Sequence, residues 1–105
     1  HHIMEIDSTN ALAWYNTGYV QLVHQQEWQT AKTSFSKAIA LEPGYLDAWY
    51  NRGIAMEKLD QLDSAAANYQ MVLSMREDYP MASAALDRLE SKGVRIKMRE
   101  RAKNK

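Results

Sequence analysis

The sequence predicts an all-α fold of stacked helical hairpins, and three observations carry that prediction. The string AWYNTG at 13–18 returns as AWYNRG at 48–53, 35 residues later, with only Thr17 and Arg52 differing. Apolar residues recur at helical spacing through most of the chain and nowhere alternate for long enough to make a sheet. Proline-marked turns, Pro43-Gly44 and Tyr79-Pro80, punctuate the pattern at hairpin intervals.

His1 and His2 resemble the end of a purification tag and are left out of the reading. Residues 3–9 read as the last turn of an earlier unit: aligning Trp14 with Trp49 sets Ile6 against Leu41 and Asp7 against Glu42. Thr9 or Asn10 is the expected cap of the first full helix, because either side chain can accept from a free first-turn N–H. Ala11, Trp14, Tyr15, Gly18, Tyr19 and Leu22 then form one continuous face. Trp28, Ala31, Phe35, Ala38 and Ile39 form a second, closed by Pro43-Gly44, so that the first unit spans 10–44. Leu46, Trp49, Tyr50, Gly53 and Ile54 make a third stripe, and Leu62, Ala65, Ala66, Tyr69, Val72 and Leu73 a fourth, completing a second unit at 45–79. A fifth helix carries Ala82, Ala85, Leu86 and Leu89. LESKG offers a glycine-terminated end, with Lys92 near the negative pole, but the spacing continues through Gly93 to Ile96, and that favours a helix over 80–98, with a basic tail at 99–105.

The repeated string has a physical reading. Trp14 and Gly18 lie one turn apart on one face, and Ala31 and Phe35 form a complementary small-and-large pair on the next helix. The second copy sets Trp49 and Gly53 against Ala65 and Tyr69. Each string therefore marks one hairpin, and a lone hairpin cannot bury both faces, so copies must stack.

With these residues in hand, the chain resembles the tetratricopeptide repeat (TPR) family, whose pattern is W-x2-L-G-x2-Y, then A-x3-F, then P, over 34 residues. Trp14, Gly18, Ala31, Phe35 and Pro43 match in one copy, and Trp49, Gly53, Ala65 and Tyr69 in the other. Thr17 and Arg52 replace the leucine, Gln21 and Met56 the tyrosine, and Glu77 the proline, with Pro80 three residues later. The first copy holds one extra residue, expected around Leu22–Gln25. The resemblance implies a right-handed α-solenoid of two repeats plus a C-terminal capping helix, cut from a longer array. It leaves function open, because one fold serves many partners.

Composition narrows the chemistry. There is no cysteine, which removes disulfides, thiolate metal sites and cysteine nucleophiles. No apolar run approaches membrane-spanning length and no signal pattern opens the chain, so the expectation is a cytoplasmic protein. The net charge of zero hides a split: residues 1–87 carry 5 Lys/Arg against 11 Asp/Glu, and residues 88–105 carry 8 against 2. His24, the one histidine beyond the tag, stands near a predicted helix end, where solvation is the ordinary explanation. Asp60 and Asp63 fall in a turn, where capping explains them better than a metal or acid–base pair. There is no phosphate-cradling glycine loop and no nucleophile elbow. The expectation is a non-enzyme without cofactor or metal.

In TPR proteins the first helix of each repeat lines a concave surface. Carried over position by position, that surface comprises Leu12, Tyr15, Asn16, Tyr19 and Leu22, then Asp47, Tyr50, Asn51, Ile54 and Glu57. Tyrosine offers a rigid apolar face with a polar tip, and asparagine can donate to and accept from a peptide backbone. The resemblance thus implies a protein or peptide partner in an aromatic, mildly acidic groove. The competing explanation is that the tyrosines only pack between helices. TPR domains that hold acidic chaperone tails use a carboxylate clamp of Lys and Asn, then Asn, then Lys and Arg. The matching positions here are Tyr15 and Tyr19, then Asn51, then Met81 and Ala85, so only Asn51 fits and the sequence speaks against that subtype. Two further expectations follow: self-association through the Ile3–Ile6 edge, and polyanion or membrane-surface contact by Arg95, Lys97, Arg99 and Arg101. No aromatic residue interleaves those cations, which argues against nucleic acid.

Overall fold

The computed structural model describes the backbone of residues 2–96 and the side chains from Asn10 onward. Five helices lie among the described residues: α1 (His2–Val23), α2 (Trp28–Leu41), α3 (Leu46–Lys58), α4 (Leu62–Met75) and α5 (Pro80–Ser91). Successive helices pack on one another, α1 on α2, α2 on α3, α3 on α4 and α4 on α5. The arrangement is two hairpins and a final helix, as the sequence predicts.

The repeated glycines are where those hairpins close. A Cβ on Gly18 would sit 2.8 Å from the Phe35 ring, and one on Gly53 would sit 2.6 Å from the Tyr69 ring. Both distances are shorter than carbon atoms tolerate, so only glycine admits each ring. Phe35 and Tyr69 are fully buried and centre two linked cores. One holds Leu22, Ala31, Phe35, Ala38, Ile39, Ala48 and Ala55; the other runs from Ala65 through Tyr69 and Val72 to Leu86 and Leu89.

The structure departs from the sequence expectation at three boundaries. First, α1 does not start at Thr9 or Asn10; the backbone is helical from His2. No proline or glycine stands between 3 and 17 to stop it, and a capping residue inside a helix needs only an upstream turn to satisfy its N–H. The Ile3, Met4 and Ile6 side chains lie outside the described residues.

Second, α5 ends at Ser91, not near 98. Gly93 takes φ +97°, its N–H bonds to Glu90 O at 2.9 Å, and Val94 N–H bonds to Leu89 O at 3.1 Å. That pair of bonds around a left-handed residue is a Schellman stop. Val94 and Ile96 still reach the core, Ile96 with 1% exposure, because the chain folds back over the α4–α5 layer. Helical spacing and this turned-back path bury the same side chains, so periodicity alone could not separate them. Met98 lies outside the described residues.

Third, Asp60 caps nothing. It is the left-handed residue (φ +62°) of an equivalent stop at the end of α3, with Asp60 N–H on Glu57 O and Gln61 N–H on Met56 O. Asp63 sits in the first turn of α4, where its charge suits the positive end of the helix. The extra residue of the first repeat falls in the turn after α1. Four residues, 24–27, separate α1 from α2, against three, 59–61, between α3 and α4. A wide bond from Gln25 N–H to Val20 O absorbs the surplus.

Candidate partner-binding groove

The first helices α1, α3 and α5 leave two hollows between them, one at α1 and α3 and one at α3 and α5. Between α1 and α3 lies a hollow of about 360 Å³, lined by Tyr19, Leu22, Tyr50, Asn51 and Ile54 together with Val23, Gln26, Trp28 and Lys58. Five of the ten expected positions thus meet in one cavity wall. Tyr19 is 43% exposed and Val23 is 47% exposed, so the wall is open to a visitor. Leu22 is buried and forms its floor.

The remaining positions behave differently. Tyr15 is half-buried, its ring against Phe35 and Tyr45 at centroid distances of 5.7 and 5.0 Å. Asn51 Nδ2 donates to the Tyr15 hydroxyl at 3.1 Å and to Asp47 O at 2.9 Å. Burial, with the nearby Asp47 charge, pushes the Tyr15 hydroxyl up to about 12. Asp47 accepts from the Tyr79 hydroxyl at 2.7 Å. Leu12 and Asn16 are exposed, away from the hollow's lining.

Glu57 is the most committed of the ten. Its side chain is 9% exposed, and it accepts from the Tyr69 hydroxyl at 2.6 Å and from both Nη2 and Nε of Arg88. Burial alone would raise its pKa. The Arg88 and Tyr69 hydrogen bonds outweigh that, and the carboxyl sits below its ordinary value. A second hollow of about 380 Å³ opens beside it, lined by Ile54, Glu57, Lys58, Arg88 and Lys92, so the groove continues from α3 to α5.

A family model described as tetratricopeptide repeat matches residues 34–67. A curated relative, the chloroplastic tetratricopeptide repeat domain-containing protein PYG7 of Arabidopsis thaliana, is 31% identical over 78 residues. That match covers 74% of this chain but 26% of the relative, so the chain spans about a quarter of that protein's length. Among solved structures, the Arabidopsis OM64 TPR domain superposes with a TM-score of 0.76 at 26% identity, over 79% of this chain and 68% of that one. MamA superposes equally well, with a TM-score of 0.76 at 29% identity, over 82% and 50%. This chain is a tetratricopeptide repeat array.

Within the TPR array, two placements differ from the sequence expectation. Sharing a helix face with the buried glycines, Trp14 and Trp49 are expected in the core. Trp49 is half-buried and Trp14 is 37% exposed, because the ring packs on the helix before it, which α1 lacks among the described residues. Arg88 and Lys92 belong to the basic stretch 88–105, yet α5 and its C-cap bring both to the second hollow. The signal was present in the repeat period. Tyr19 and Ile54 are equivalent groove positions 35 apart, and one further period of 34 lands on Arg88. The groove is therefore not simply acidic. Of the expected polyanion contacts, Arg95 lies beside Gly93 and Val94 on the other side of Lys92, whereas Lys97, Arg99 and Arg101 lie outside the described residues. No helix among the described residues is long and apolar enough to cross a membrane.

Proposed function

We propose that this array is a protein-interaction module, without catalytic activity, that holds a segment of a partner protein on the concave side of α1, α3 and α5. The observation that carries this reading is the open hollow between α1 and α3. It combines an apolar floor with exposed aromatic and aliphatic walls, the make-up of surfaces that anchor a peptide. The TPR fold supports protein partners in general; the groove as their seat is the proposal. A cytoplasmic setting goes with it, and a chloroplastic one, as the relative's name gives for that protein, would suit the same groove.

The test is capture of partners on immobilised chain, against Tyr19→Ala with Val23→Ser. Both side chains are exposed and line the hollow, so the fold should survive. Loss of capture with an unchanged melt supports the groove. Retained capture moves the function elsewhere.

A second reading rests on a different face. On α3, Ala48 and Ala55 are fully buried and Trp49 is half-buried, whereas their α1 counterparts Ala13, Val20 and Trp14 are exposed. That face suits stacking against another helix, from a further repeat or a second copy. Sedimentation at rising concentration, compared with Val20→Asp, checks the second-copy version; a size that never changes removes it.

A further inference from the structure

Resting on the groove reading above, we infer that the partner segment carries an acidic side chain beside its apolar anchor, and that α3 fixes the direction in which it lies. The two hollows share Ile54 and Lys58, so a bound segment that fills one reaches the other. Around the second hollow stand three cations, Lys58, Arg88 and Lys92, and one carboxylate, Glu57.

That carboxylate is spent. Both its oxygens accept from Arg88, and one also accepts from Tyr69. The cations are not spent in the same way. Arg88 and Lys92 side chains remain 45% and 51% exposed, and Lys92 reaches Glu57 only at 3.8 Å. Lys58 is exposed and makes no ion pair with a described residue. The hollow thus carries an excess of positive charge facing outward, and an anion entering it gains charge-assisted hydrogen bonds.

The opposite end of α3 bears Asp47, one face along the same helix. Asp47 is exposed and lies outside the walls of both hollows, so charge changes sign along the face of α3, from Asp47 past Tyr50 and Ile54 to Lys58. A segment with apolar and acidic residues fits in one direction and is repelled in the other. The spacing follows from the helix: Ile54 and Lys58 are one turn apart, about 5.4 Å. An acid two residues beyond the apolar anchor in an extended segment, or one turn beyond in a helical one, would bridge that step.

A side chain fits better than a chain-terminal carboxylate. Terminal groups are held by cations together with amides that bind the last peptide unit. The second hollow has no amide side chain in its wall, and Asn51 has both Nδ2 hydrogens engaged. The cations here also differ from the clamp positions Met81 and Ala85, lying nearer the end of α5.

The test is selection from a phage-displayed library of random peptides on the folded chain, followed by synthesis of the best sequence with both ends blocked. The expected result is an aliphatic or aromatic residue with Asp or Glu two to four positions from it, on the same side of it in all the enriched sequences. Changing that acid to its amide should weaken binding about tenfold, as should Lys58→Gln with Lys92→Gln, and added salt should weaken the parent peptide most. Both lysines are exposed, so circular dichroism should show an unchanged fold. Enriched peptides without an acid, bound in a Tyr19-dependent way, overturn this inference and leave the groove standing. Binding that needs an unblocked C-terminus also overturns it, in favour of a terminal carboxylate. Enrichment that is indifferent to Tyr19→Ala with Val23→Ser, or no enrichment at all, overturns the groove reading and this inference with it.

Discussion

The two repeats contain nearly the same string in different surroundings. In the second, Trp49 is half-buried, its Nε1 donates to Pro43 O at 2.7 Å, and the Arg52 guanidinium lies 4.7 Å above its ring. Arg52 reaches on from there to Asn68 and Ser36, joining α2, α3 and α4. In the first, Trp14 is exposed, with Lys37 Nζ 5.1 Å from the ring centroid. The glycine contacts behave oppositely: Gly18 and Gly53 meet their rings alike. The difference separates two kinds of position. The glycine and its ring belong to one hairpin and need no neighbour. The tryptophan belongs to the junction between hairpins and is only as buried as the preceding repeat makes it.

The largest effect should come from filling a glycine. Gly53→Leu forces atoms into the Tyr69 ring and should cost more than the usual ~1–3 kcal/mol of overpacking, enough to unfold the second hairpin. Gly18→Leu should do the same to the first. Thermal melts of the two variants should fall together; if Gly18→Leu melts like the parent, the two hairpins are not built alike.

Tryptophan truncation should split what glycine substitution does not. Trp49→Ala should cost about 3 kcal/mol, since packing, a hydrogen bond and a cation–π contact go together. Trp14→Ala should cost less than about 1 kcal/mol. Equal costs from urea titration would mean that α1 is covered in solution by a second molecule.

Below these comes the turned-back segment. Ile96→Ala should cost about 2 kcal/mol and act on the second repeat alone. Amide exchange should rise in α4 and α5 while α1 and α2 keep their protection.

The smallest effect concerns acid. The Glu57 carboxyl is held below its ordinary value, so it stabilises the folded state above about pH 4.5, and that contribution is lost as pH falls through the lower folded value. Leu22 stands at the matching place in the first repeat, so acid acting through this site should loosen the second repeat only. Glu57→Gln should flatten the dependence of the melt on pH in that window; an unaltered slope would show that Arg88 does not hold the carboxylate in solution.

Much of this was legible in the residues. Gly18, Phe35, Gly53 and Tyr69 form a pattern of small against large, and sterics within one hairpin admit few other arrangements. Tyr19, Leu22, Tyr50, Asn51 and Ile54 are implied by the resemblance to TPR proteins, and they share one wall because stacked helices set equivalent positions side by side. What was not legible depended on contacts between units or on backbone sign. The exposure of Trp14 depends on a neighbour. The stop at Gly93 is one of two readings that LESKG allows, and the apolar period running on to Ile96 favours the other; the left-handed φ decides between them. The part taken by Arg88 depends on reading one period further, where the repeated string itself is no longer present. Asn51, expected to meet a partner backbone, has its donors occupied by Tyr15 and Asp47 instead, a partnership across repeats that no local spacing announces.

That partnership has a mechanical meaning. A coiled array behaves as a spring, and it straightens by opening its inner side. Two bonds cross that inner side, Asn51 to Tyr15 and Tyr79 to Asp47, each running from a first helix to the unit after it. The tyrosines reinforce them in the same rhythm, Tyr15 on Tyr45 and Tyr50 on Tyr79. Such hydrogen bonds bear tension, and the packed rings beside them resist compression. The spacing between successive first helices is therefore held from both directions, and the two repeats should move as one stiff unit rather than as hinged hairpins.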